Sequence, residues 1–167
     1  SIVVHGDGQT AIPGQMNVGT STIDGGLAMT VGQSGTLNLR SSLLFPATLS
    51  IGGNQGTGTV AIANGGSLIL GTGGGAIAVN NGGLLDLQTG SSFSPGTNVT
   101  INVNAGGTLK SVPELLITPG ATLALNGGAL QATEGVTVGV DASNNTGIAT
   151  VNVGSNATGS FGDFLYI

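Results

Sequence analysis

From Ile101 to Ala142 the chain divides every seven residues into INVNAGG, TLKSVPE, LLITPGA, TLALNGG, ALQATEG and VTVGVDA. Most of these units open with residues that lean to apolar/polar alternation and close with two or three turn formers. TLALNGG is the clearest: extended, it puts Leu123 and Leu125 on one face and Thr122 and Ala124 on the other, with Asn126-Gly127-Gly128 as the turn. A seven-residue period also describes a coiled-coil heptad, but that structure needs helix formers and charged flanking positions. Here Gly or Pro recurs at the unit ends, and inside a helix these cost about 1 and about 3 kcal/mol. The pattern predicts short strands joined by Gly-rich corners.

The same pattern extends upstream, with strands predicted at Met16–Val18, Leu27–Val31, Thr36–Leu39, Thr48–Ile51, Thr59–Ile62, Ser67–Leu70, Ala76–Val79 and Leu84–Leu87. Gln88–Asn98, with Phe93 and Pro95, reads as a longer excursion, and TLKSVPE, with Lys110 and Pro113, as an edge or a bend. Ile148–Val153 and Phe164–Ile167 complete the set, after corners at Asp141–Gly147 and Gly154–Gly162. Sandwiches and barrels space their strands by roughly 8–12 residues with clean alternation. Shorter strands and Gly-rich corners favour a solenoid, in which each strand stacks on its counterpart one coil later. Three units make a coil of roughly 21–25 residues. The expected fold is therefore an all-β, three-sided parallel β-helix (a β-solenoid) with one domain over residues 1–167, about seven coils and a length of about 35 Å. Residues 1–15 read as an irregular amino-terminal edge and 154–167 as a carboxy-terminal edge. Alternation points Leu37, Leu39, Leu49, Ile51, Val60, Ile62, Leu68, Leu70, Ile77, Val79, Leu85 and Leu87 inward. It continues with Val99, Ile101, Val103, Leu109, Leu123, Leu125, Leu130, Val136, Val138, Val140, Val151 and Val153.

Composition agrees with a narrow aliphatic interior. The chain has 33 Gly, no Cys, no Trp and five aromatics: Phe45, Phe93, Phe161, Phe164 and Tyr166. Charged residues are 5% of the total, against about 25% in an ordinary soluble domain. The surface must therefore be built from Thr, Ser, Asn, Gln and Gly. Plentiful, regularly placed apolar residues argue against disorder, and no run of ~20 apolar residues offers a membrane-spanning helix. Arg40 and Lys110, far apart in sequence, make no phosphate footprint, so neither nucleic acid nor a polybasic membrane contact is expected. The lack of Cys excludes disulfides and thiolate metal sites. No signal peptide opens at Ser1, which fits a mature form or an excised piece.

Candidate chemistry is sparse. His5 and Asp7 suggest a catalytic or metal pair, but they read better as a polar turn, because one His does not make a typical zinc site. The β-helix fold hosts polysaccharide lyases and hydrolases, which need clustered carboxylates. Glu114 and Glu134 lie about one coil apart and stack on that reading, although solvated corner positions fit them better. No full calcium-binding nonapeptide, phosphate loop or Gly-x-Ser-x-Gly elbow occurs, so no catalytic residue, metal or cofactor is assigned. Sugar binding by aromatic platforms would fall to Phe161, Phe164 and Tyr166, which read instead as a core cap or part of a further strand. Ice binding would need ordered Thr rows, and Thr20-Ser21-Thr22 and Thr57-Gly58-Thr59 do not recur at coil spacing. Three sequons, at Asn98, Asn144 and Asn156, are ascribed to composition.

The phrases GTLNL, GGSLIL, GGLLDL, GGTLK, GATLAL and GGALQA resemble the repeats of bacterial autotransporter passenger domains and related secreted β-helix adhesins. The resemblance covers roughly residues 27–140. It implies a right-handed parallel β-helix displayed outside a bacterial cell and carries over no functional residue, because the repeat is structural. The expected function is that of a non-catalytic, extracellular structural or adhesive rod, whose partner is a host or neighbouring-cell surface. The terminal segments Ile2-Val3-Val4 and Phe164-Leu165-Tyr166-Ile167 are apolar and β-prone. Open sheet edges without charge or Pro invite pairing, so these seven residues are the candidates for head-to-tail association of copies into a filament.

Overall fold

The computed structural model describes residues 2–5, 15–18, 23–24, 29–40, 42–45, 48–70, 74–141 and 143–167. Its strands form parallel ladders on three sides of a rod. The first ladder stacks Ile2–His5, Met29–Gly32, Thr48–Ile51, Gly75–Val79, Val99–Asn104, Thr122–Asn126 and Thr150–Val153. The second stacks Gln15–Val18, Gly35–Leu39, Gly58–Ile62, Gly83–Leu87, Thr108–Ser111, Ala129–Ala132 and Thr158–Phe161. The third side is split. Ile23–Asp24, Ser42–Phe45, Ser67–Leu70 and Ser92–Pro95 form one run, and Leu115–Ile117, Gly135–Val138 and Phe164–Tyr166 form the next. The expected β-solenoid is the observed architecture. Circuits open at Ile2, Met29, Thr48, Gly75, Val99, Thr122 and Thr150, each first-ladder strand being followed by one strand of the second ladder and one of the third side.

Coil length departs from the expected range of roughly 21–25 residues. In the first ladder the partners Leu49, Ile77, Ile101, Leu123 and Val151 are separated by steps of 28, 24, 22 and 28 residues. Across all ladders the step runs from 20 (Met29 to Leu49) to 29 (Val136 to Leu165). The strands stay in register because corners absorb the difference. Gly53–Gln55 is a 3₁₀ turn, and Gly139-Val140 lies against Thr146-Gly147 through a Val140–Thr146 bridge and the Gly147 N–H to Gly139 O.

Several strands arise where the sequence suggested corners. Ser92–Pro95 lies in the supposed excursion, and Thr158–Phe161 lies in a supposed corner. Thr108–Ser111 is a central strand of the second ladder, and the bend follows it at Val112-Pro113, where the Ser111 hydroxyl donates to Pro113 O at 2.7 Å. These segments are too polar to read as strands alone; pairing with a strand on the preceding coil fixes them. The third side is interrupted at Pro95, where the Thr118 hydroxyl donates to the Pro95 carbonyl.

The core is a stack of aliphatic files. From Leu37 to Val138 the expected inward residues are buried, apart from Leu70, whose side chain lies outside the description. Met29, Val31, Leu115 and Ile117 join them. Full burial of each such side chain contributes about 1.5–3 kcal/mol. The last coil differs. Val140 and Val151 are half-buried, and Val153 is 68% exposed. Alternation puts Val151 and Val153 on the inner face, opposite Leu123 and Leu125, but burial there needs a coil on both sides.

Candidate functional site

The sequence candidates fall in separate places. The His5 side chain and Asp7 lie outside the described residues, as do the side chains of Ile2, Val3 and Val4; the backbone of Ile2–His5 pairs with Met29–Gly32. Glu114 and Glu134 do meet across one coil. The Glu114 N–H donates to Glu134 Oε2 at 3.1 Å, and the Thr137 hydroxyl donates to Glu114 Oε1. Both glutamates are exposed, and each carboxylate is held by a neighbouring N–H or O–H. Among the described residues no group of three or more His, Cys, Asp or Glu could hold a metal ion. Phe161, Phe164, Leu165, Tyr166 and Ile167 are all exposed on the last coil, where Phe164–Tyr166 pairs with Gly135–Thr137.

Two further carboxylates, Asp86 and Asp141, are held by neighbouring groups. Asp86 and Lys110 are ladder partners, with Lys110 Nζ 3.3 Å from Asp86 Oδ1, and Gln88 Nε2 donates to Asp86 Oδ2 at 3.1 Å. Asp86 Oδ1 makes no well-oriented hydrogen bond, so its contact with Lys110 is electrostatic. Asp141 organises the longest corner. Its carboxylate accepts from Asn145 Nδ2 at 2.9 Å and from the N–H groups of Asn145 and Ser143 at 2.9 and 2.8 Å. The Asn145 side chain, then its backbone N–H, hold the carboxyl below its ordinary value of 3.8; slight desolvation opposes and the Ser143 N–H adds to the lowering.

The outer surface of the first ladder is the feature that sequence reasoning missed. Its register aligns Thr48, Ala76, Thr100, Thr122 and Thr150 in one file. Thr30, Ser50, Ala78, Asn102, Ala124 and Asn152 form the next. A Thr file therefore does recur at coil spacing, through residues other than the two Thr-x-Thr segments considered, and unequal coil lengths hide it in the sequence. Beside these files runs a ladder of amides. Asn80 Nδ2 donates to Ser50 Oγ at 3.1 Å, Asn104 Nδ2 to Asn80 Oδ1 at 2.9 Å, and Asn126 Nδ2 to Asn104 Oδ1 at 3.2 Å. Each amide fixes the orientation of the next. Where the Gly53–Gln55 turn rises beside the ladder, the surface becomes a groove of about 520 Å³.

Comparison of the chain with protein-family models, curated proteins and solved structures gives no match. The functional reading rests on the molecule itself.

Proposed function

We propose that the chain is a non-catalytic, extracellular structural and adhesive β-solenoid of a bacterial surface or secreted protein. The observation that carries this reading is a continuous aliphatic interior under a sparsely charged outer surface, where Asp86 pairs with Lys110 and the paired glutamates are tied to backbone and hydroxyl donors. Glu114 does line a small hollow of about 140 Å³ with Ser92, Phe93 and Ser94, but no second carboxyl and no basic residue lines it with Glu114, whereas glycoside cleavage uses a pair of carboxyls across the substrate. The resemblance to autotransporter passenger repeats supports display outside the cell. The direct test is a screen for cleavage of neutral and anionic polysaccharides, run beside an adhesion assay with the rod displayed on cells. Adhesion without turnover is expected. Turnover that vanishes in Glu114→Ala or Glu134→Ala would replace this reading with the enzyme.

The last coil favours a second reading, a subunit of a self-assembling filament. Ile148 and Ile167 are 88% and 85% exposed, and Phe164, Leu165 and Tyr166 turn apolar surface outward on a coil covered on one side. Parallel strands accept a further strand in the same register, and a head-to-tail contact of that kind does not close. Sedimentation of the intact protein over a range of concentrations tests it. Growth of the mass with concentration, abolished by deleting Phe164–Ile167, is expected; a monomer at every concentration sinks the filament.

A further inference from the structure

We propose that the groove along the first ladder binds an uncharged, extended polysaccharide chain lying parallel to the rod. The chemistry of the lining selects the ligand class. Thr30 and Ser50 supply hydroxyls; Asn54, Asn80, Asn81 and Asn104 supply carboxamides; the remaining wall is glycine and alanine. Among the described residues the lining contributes no ionisable side chain, so it offers neither an anion nor a cation a charged partner. It also presents no apolar side chain larger than alanine, so a hydrophobic ligand would find no wall to bury against. The net charge of −5 disfavours anionic polymers further. What remains is a neutral ligand rich in hydroxyl groups, able to donate and accept at every ring.

The repeat of the groove selects a polymer. Thr30, Ser50, Asn80 and Asn104 come from four successive coils, so the lined length is about 14 Å at about 4.8 Å per coil. Hydroxyls repeat one coil apart at Thr30 and Ser50, and carboxamides repeat one coil apart at Asn80 and Asn104, a step close to the advance of one sugar ring in an extended chain. The amide ladder sets these groups in advance, which lowers the ordering cost of binding. It also leaves capacity for a ligand. Ser50 Oγ accepts from Asn80 and keeps its own O–H, and Asn104 uses one of its two amide N–H groups on Asn80. Concavity separates this ligand from ice, the other neutral periodic partner for a Thr-lined sheet. The raised Gly53–Gln55 turn, held by the Gly53 N–H to Asn81 O at 2.9 Å, seats a chain and obstructs a flat crystal plane.

This inference deepens the adhesive reading by naming what the rod adheres to, and it rests on that reading for its setting. The test uses the purified 167-residue chain and calorimetry with cellohexaose, laminarihexaose and mannohexaose, with an alginate oligomer as the anionic comparison and an ice-adsorption assay alongside. Binding to at least one neutral hexasaccharide is expected. Ser50→Leu and Asn54→Leu, which fill the groove with aliphatic bulk and remove polar partners, should each weaken it by about tenfold or more. Thr108→Tyr, on the second ladder, should leave it unchanged. Asn54 is exposed at a corner, so its variant decides the matter if Ser50→Leu does not fold. The proposal is overturned if the folded wild type binds no neutral hexasaccharide, if both groove variants bind as the parent does, if alginate binds equally well, or if the protein adsorbs to ice and not to sugar. Adhesion by displayed rods without sugar binding would leave the adhesive reading standing and remove this one.

Discussion

Leu123 sits between Ile101 and Val151 in an inner file, fully buried, and its neighbours above and below are aliphatic. Leu123→Asp would place an unpaired carboxylate where no donor faces it, a penalty of several kcal/mol that a single small domain rarely survives. The expected outcome is loss of the cooperative melt followed by circular dichroism, and a melting temperature equal to the parent's would contradict this register. Asp141 shows the opposite situation, a carboxylate that the fold favours in its charged form. Its folded pKa lies below the ordinary 3.8, so its contribution is fully present above the unfolded value and is lost as pH falls through the lower folded value. In a pH titration followed by NMR, the Asp141 carboxyl should titrate below 3.8, and the Ser143 and Asn145 amide signals should move with it. Asp141→Ala should abolish that transition and leave the ladders intact, since this corner lies outside them. The sequon asparagines have a structural explanation at this scale. Asn98, Asn144 and Asn156 all take positive φ, 60°, 60° and 63°, a conformation that Asn tolerates better than other residues with side chains.

The corner after each first-ladder strand is the element that sets the architecture. In Gly106-Gly107 the two glycines serve different ends. Gly106 has φ of +75°, which residues with a Cβ adopt at a cost, whereas a Cβ on Gly107 would lie 2.2 Å from Val79 O on the previous coil. Gly82-Gly83 repeats the arrangement, with φ of +71° at Gly82 and Ile51 O 2.3 Å from a Cβ on Gly83. The second glycine lets one coil sit directly on the last. Gly107→Ala should therefore destabilise by about 1–3 kcal/mol through overpacking against backbone that cannot retreat, read as a lower denaturant midpoint. The same substitution at Gly65, whose Cβ would meet nothing within 4 Å but whose φ is +80°, should cost only the conformational part, about 1 kcal/mol. Equal losses at both positions would remove the close-approach argument.

For the whole molecule, stability is a sum of coils, each braced by its neighbours. The described core runs unbroken from Met29 to Val138, while the last coil is covered on one side only. Hydrogen exchange should therefore grade along the rod, slowest in Gly75–Val79 and Val99–Asn104 and fastest in Thr150–Val153, Thr158–Phe161 and Phe164–Tyr166. Protease cleavage should begin in the same last strands and leave a trimmed rod that still melts cooperatively. If the last coil is instead covered by a second copy, its exchange should slow as concentration rises, which ties this measurement to the filament reading.

Local rules wrote most of the fold into the sequence. Alternation at period two names the inner face of each strand before any partner is known, and Asn-Gly-Gly corners announce where the chain must turn. Hence the aliphatic files from Leu37 to Val138, the three-sided parallel rod and the scarcity of large side chains in it were all legible. The polar strands Ser92–Pro95 and Thr158–Phe161 were not, because their extended form comes from the strand on the preceding coil. The same physics hid the candidate site. Which Thr stands over which depends on how many residues each corner consumes, and those numbers vary from coil to coil, so the file Thr48–Ala76–Thr100–Thr122–Thr150 and the amides Asn80, Asn104 and Asn126 align only once the ladders have formed. Burial at the last coil was decided at the same level: Val151 and Val153 alternate like Leu123 and Leu125, but a side chain in a solenoid is sealed only by a coil on each side of it, and no local pattern in the chain encodes that second neighbour.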